Sequence, residues 1–225
     1  MNNYLLEVCC ADIESVSAAV NGGAQRIELC SALPLDGLTP SAGLIAAARA
    51  HLDIKVHVLI RPREGNFVYN QEEIGIIMHD IQTACEMGVD GIVFGALTPE
   101  GDIDIPFCKL AVMMADGLPV TFHRAFDQCR NPEQALEQII EMGYARLLTS
   151  GQQPTAVEGI PMLRKLVNQA NGRISIMPAA GVNADNALTI LEATGAHEIH
   201  GSLRSLQEGR LITDPAIVQS IVSRF

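Results

Sequence analysis

NGGAQRIELC (21–30) sets the pattern that decides the fold, and it recurs as EMGVDGIVFG (86–95), EMGYARLLTS (141–150) and ATGAHEIHGS (193–202). Each copy runs from a helix end through small residues into a short β-rich segment. Gly23, Gly88, Gly143 and Gly195 fall where a helix must stop in a left-handed cap before the chain enters a strand. These are four αβ steps of one repeat. LLEVC (5–9), KVHVLI (55–60), PVTFHR (119–124) and RISIMPA (173–179) bring the predicted strands to eight, separated by stretches of helix length. Helix starts are marked by Thr39-Pro40, Asn131-Pro132 and Asp214-Pro215, each an N-cap residue before a proline at the first helical position. Ile74, Ile77, Met78 and Ile81, like Leu136, Ile139 and Ile140, form apolar stripes for packing onto a sheet.

Alternating strands and helices argue for a parallel sheet, either open and doubly wound or closed. No GxGxxG follows any strand, and the regular spacing favours closure into a (β/α)8 TIM barrel. The 225 residues match one such barrel at about 25–30 residues per unit, so residues 1–225 are expected to form a single domain. Closure would gather the loops after all eight strands around one mouth, where functional residues belong.

Composition narrows the function. The chain is 48% hydrophobic but has no apolar run near membrane-spanning length. MNNYLLEVCCADIE lacks the basic start of a secretion signal, so a cytoplasmic location is expected. A net charge of −11 disfavours nucleic acid and anionic membrane as partners. The cations are 12 Arg and 3 Lys, a bias towards the planar fork that grips carboxylates and phosphates. Six cysteines without a disulfide-type framework read as reduced thiols, with Cys85, Cys108 and Cys129 as packing residues.

Side chains alternate along a strand, so Glu7 and Cys9 share one face of the first strand, as Glu28 and Cys30 do of the second. A mid-strand carboxylate can hardly face the helix layer. Both pairs are therefore expected inside the barrel, with the cysteines nearer the mouth and Cys10 pointing away. Buried carboxylates need partners, and His57, Arg61, His123, Arg124 and His200 on other strands could supply them. Two thiolates on neighbouring strands with an imidazole in reach would suit a soft ion such as Cu(I), or zinc with further ligands, although this spacing is not itself a metal motif. Arg61, Arg63 and Arg124 around carboxylates and His123 suit an anionic small molecule instead, with Glu7, Glu28 or His123 as general acid or base. Gly181 in PAAGVN and Gly201 with Ser202 in HGS lie after strands seven and eight, where barrels commonly hold phosphate on backbone N–H groups. Schiff-base chemistry has no lysine at a strand C-terminal end, and neither GxSxG nor HExxH occurs. No organic cofactor is expected.

LLEVCC, GGAQRIELCSA, GLTPSAG, IRPREGNFVY, TFHRAFD, RLLTSG and HEIHGS, in order over nearly the whole chain, resemble the CutC family. PLDGLTP, RPREG and PAAGVN depart from the usual family wording of those loops. The resemblance implies a (β/α)8-type barrel, a cytoplasmic location, self-association as a homo-oligomer such as a dimer, and a role in copper homeostasis. Copper binding attributed to family cysteines maps to Cys9, Cys10 and Cys30. The favoured expectation is Cu(I) held by Cys9 and Cys30 with His57 as a further ligand. The rival is a lyase or isomerase acting on a small phosphorylated or carboxylated metabolite.

Overall fold

The computed structural model describes residues 4–50 and 54–225. Eight strands alternate with helices along the chain: β1 Leu5–Cys10, α1 Ile13–Asn21, β2 Arg26–Leu29, α2 Ala42–Arg49, β3 Lys55–Leu59, α3 Gln71–Glu86, β4 Gly91–Val93, α4 Ile105–Met114, β5 Val120–Phe122, α5 Pro132–Glu141, β6 Arg146–Thr149, α6 Ile160–Ala170, β7 Ser175–Pro178, α7 Ala187–Thr194 and β8 Glu198–Gly201. All pairings among these strands are parallel, in the order β7-β6-β5-β4-β3-β2-β1-β8. β7 and β8 lie side by side and bring the ring round on itself. The expected (β/α)8 TIM barrel is the fold.

Local chemistry sets the element ends. Gly23, Gly88, Gly143 and Gly195 all have positive φ, 71–86°, the left-handed geometry that glycine adopts without a Cβ clash. Asn131 and Asp214 cap their helices as expected, each accepting a backbone N–H of the first turn. Thr39-Pro40 is a correction. Ser41 caps α2 by accepting from Leu44 N, while Thr39 Oγ1 accepts from Arg61 N at 2.9 Å and ties the loop after β2 to the end of β3. Proline fixes φ but does not start a helix whose preceding threonine is taken by a neighbouring strand.

The main apolar core lies between strands and helices. Leu6 and Val8 of β1, Ile27 and Leu29 of β2, and Val56 and Val58 of β3 point outward and are fully buried. Cys10 joins them, facing away from the barrel axis. The opposite phase of each strand fills the interior, and there the filling is largely polar.

After β8 comes a hairpin absent from the eight-strand expectation: β9 Arg204–Gln207 and β10 Arg210–Thr213, antiparallel, followed by α8 Pro215–Val222. Glu208 and Gly209 at its tip both have positive φ, the geometry of a two-residue primed turn. Glu is a poor signal for that turn, which is why the sequence hid it. Thr213 N donates to Ser15 Oγ at 3.3 Å, fastening the hairpin to α1.

Candidate functional site

At the C-terminal ends of the strands opens a cavity of about 520 Å³, within the size range of small-molecule sites. Cys9, Glu28, Cys30 and His200 form its base. Each reaches it because its strand alternates in the phase that points inward, and parallel registry sets Cys9 opposite Glu28 and Glu7 opposite His200. The Cys9 and Cys30 sulfurs lie 3.5 Å apart as free thiols. Ligand atoms of Cys9, Glu28 and His200 all fall within 4.8 Å of one another.

Below this base the barrel is closed by ions. Arg26, 2% exposed, bonds Glu7 and Glu198, and Arg146 Nε reaches Glu198 at 2.9 Å. His200 links the two levels: Nδ1 is 2.8 Å from Glu7 Oε1, and Nε2 is 3.6 Å from Glu28 Oε2. Burial raises the Glu7 pKa, but Arg26 and His200 outweigh it and hold the carboxyl well below the usual range. Burial would lower His200, yet its hydrogen bonds with Cys9 and Glu7 and the charges of Glu28 and Glu7 push it well above the usual histidine range. His200 is thus an imidazolium between two acids. Burial raises Glu28, and the hydrogen bond with Cys30, aided by burial, raises the Cys9 thiol. Cys9 is protonated at rest.

Other sequence candidates separate into two groups. Arg61, His123, Arg124, Gly181, Gly201 and Ser202 border the cavity with Cys9, Glu28 and Cys30. His57, Arg63 and Glu7 do not. His57 lies deeper, and a Cβ placed on Gly91 would come within 2.6 Å of its ring. Burial lowers its pKa to about 4. Arg63 reaches outward to Glu73 and the Asn66 and Val68 carbonyls. Arg61 faces the cavity, but its Nη atoms are taken by the carbonyls of Leu35, Gly37 and Gly65 at 2.8–3.0 Å. Its fork holds two loops in place and stacks over Phe67 at 5.0 Å.

Three features escaped the sequence reading. Arg26 continues the inward phase of Glu28 and Cys30, so the period of two contained a signal for it. Glu198 precedes His200 by two and was legible in the same way. Asp127 was not: it accepts from Ser150 N, Ser150 Oγ and Gln152 N at 3.0–3.2 Å and from Arg124 Nε at 2.8 Å. It shapes the loop after β6 from a 3-10 turn, Arg124–Gln128, that only the folded chain brings there.

Fold and site together define a (β/α)8 barrel with a paired-thiol, acid and imidazolium cluster at the base of an open mouth. The CutC family model matches residues 4–205, and the chain belongs to the CutC family. A CutC family protein of Vibrio parahaemolyticus is 51% identical over 210 residues, covering 92% of this chain and 84% of that relative. A human relative named copper homeostasis protein cutC homolog is 46% identical over 207 residues, covering 92% of this chain and 76% of that protein. The crystal structure of the CutC protein of Streptococcus agalactiae superposes with a TM-score of 0.85 at 36% identity, covering 88% of this chain and 98% of that one. No helix among the described residues is long and apolar enough to cross a membrane.

Proposed function

We propose that this protein binds one Cu(I) ion at the base of the barrel mouth, through Cys9 and Cys30 with His200 as third donor, and acts in copper handling in the cytoplasm. The observation that carries the reading is the 3.5 Å separation of the two sulfurs, with ligand atoms of Glu28 and His200 gathered around Cys9. Thiolate sulfur prefers a soft monovalent ion, and imidazole completes a low-coordinate site. His200 takes the place that sequence reasoning gave His57, because it borders the cavity and a ring nitrogen lies within 4.8 Å of the Cys9 sulfur. The name of the human relative points the same way. Six free cysteines fit a reducing compartment, and assembly as a homodimer belongs to the same proposal.

Competition-based Cu(I) affinity of the anaerobically reduced protein tests it. Cys30→Ser should weaken binding at least tenfold and His200→Gln more than His57→Gln. Equal, weak binding by wild type and the Cys9/Cys30 double Ser variant would sink the copper site.

A second reading has its own observation. Arg124, with only Nε engaged by Asp127, borders the cavity, as do Gly181, Val182 and Ser202, whose N–H groups have no acceptor among the described residues. Such donors after strands seven and eight suit a small anionic metabolite and a lyase or isomerase. Protection from heating by small phosphorylated acids, lost in Arg124→Ala, is the expected result.

A further inference from the structure

His123 follows β5 and caps the turn Arg124–Gln128, its Nδ1 accepting the Ala125 N–H at 3.2 Å. A ring nitrogen that accepts a hydrogen bond carries no proton, so the ring proton of neutral His123 is on Nε2. The residue is 4% exposed and borders the cavity. Nε2 has no hydrogen-bond partner among the described residues. An unsatisfied buried donor is destabilising, and such a group in a folded protein calls for a reason.

The ring is held still. Phe67 packs on it at 4.9 Å between centroids, Phe122 at 6.1 Å and Phe94 at 6.5 Å. Gly95 leaves it room: a Cβ there would come within 2.9 Å of Nδ1. Burial, helped by the Arg61 charge, lowers the His123 pKa to about 3. The ring is therefore neutral across the working range, as suits a donor that polarises a carbonyl without giving up its proton. None of the acids at the cavity base occupies it.

The same cavity supplies a grip for charge. Arg124 leaves both Nη atoms without a protein partner among the described residues, and the free N–H groups of Gly181, Val182 and Ser202 lie on the same cavity. Gly181 stands at φ 70°, following Ala180 at 77°, a conformation in which a side chain at 181 would be strained. In a chain of net charge −11, an anion enters only where local donors outweigh the overall field.

We propose that the cavity binds a small phosphate ester carrying a carbonyl or enolate oxygen, with its phosphate on the Arg124 and Gly181–Val182–Ser202 side and that oxygen accepting the Nε2 proton of His123. The inference rests on reading the cavity as an anion site, and it names the ligand class and the residue that selects it. His123 is a ligand-selecting donor and is independent of the thiol pair.

Calorimetry with three probes tests this: inorganic phosphate, glycerol 3-phosphate and phosphoglycolohydroxamate, whose hydroxamate oxygen mimics an enolate. Wild type should bind the hydroxamate at least tenfold more tightly than glycerol 3-phosphate. His123→Leu should erase that preference while leaving affinity for phosphate within twofold, and His123→Gln, which retains a donor, should restore part of it. If all three probes bind but the preference is absent, or survives in His123→Leu, the His123 role is overturned and the anion site stands. If none binds, both fail. Should His123→Leu not fold, nitrogen-15 spectra of wild type decide: a neutral Nε2–H tautomer throughout pH 5–9 that shifts when the hydroxamate is added supports the inference, and a protonated ring or an unmoved signal overturns it.

Discussion

Glu7 and His200 meet across the join between the first and last barrel strands, Oε1 to Nδ1 at 2.8 Å, although 193 positions separate them. Each sets the other's charge: the imidazolium helps keep Glu7 ionised, and the carboxylate helps keep His200 protonated. Removing one partner of a buried ion pair costs far more than the pair contributes, about 3–5 kcal/mol. Glu7→Gln should lose stability on that scale in urea unfolding at pH 7. The pH profile adds a sign. A raised folded-state pKa makes the His200 contribution complete below about 6.5, the unfolded value, and fading as pH climbs towards the folded one. In Glu7→Gln the loss should start from the same unfolded value but end at lower pH and be smaller, or vanish.

His57 behaves in the opposite sense. Its folded pKa of about 4 lies below the unfolded value, so the unfolded chain binds the extra proton and stability falls as pH drops from about 6.5 through 4. In that window His57→Phe should reduce the slope of unfolding free energy by about one proton, or about 1.4 kcal/mol per pH unit. An unchanged slope would show that His57 is not buried neutral.

Gly91 is fitted to the His57 ring, since a Cβ there would stand 2.6–2.8 Å from three ring atoms. Gly91→Ala should cost about 1–3 kcal/mol by overpacking. The same change made on a His57→Ala background should cost clearly less, and a double-mutant cycle measures the difference.

Cu(I) affinity should rise with pH, because the Cys9 thiol is pushed up by its hydrogen bond with Cys30 and by burial and His200 is held protonated. Each proton that the ion displaces steepens the dependence by roughly tenfold per pH unit. A flat profile between pH 6 and 8 would exclude both groups as ligands.

Asp127 organises the loop after β6 through Ser150 and Gln152. Hydrogen bonds to a charged group contribute about 1.5–3 kcal/mol, so Asp127→Ala should lose at least that much stability. Amide exchange at Ser150 and Gln152 should quicken before the rest of the barrel responds.

The sequence by itself determined the alternation of strands and helices, the left-handed glycine caps, and the inward phase of Glu7 with Cys9 and of Glu28 with Cys30. Those properties are local: a positive φ at Gly23 or a period of two along β1 depends on a few neighbouring residues. Tertiary structure alone decided that His200 and not His57 stands beside Cys9, that Arg26 closes on Glu198, and that Arg63 turns outward to Glu73. It also spent Arg61 on loop carbonyls and brought Asp127 under the loop after β6. These relations depend on ring closure between β8 and β1 and on the height at which each strand's inward residues sit. Two histidines with the same local pattern become different chemical groups because the barrel places one against two acids and the other against a glycine.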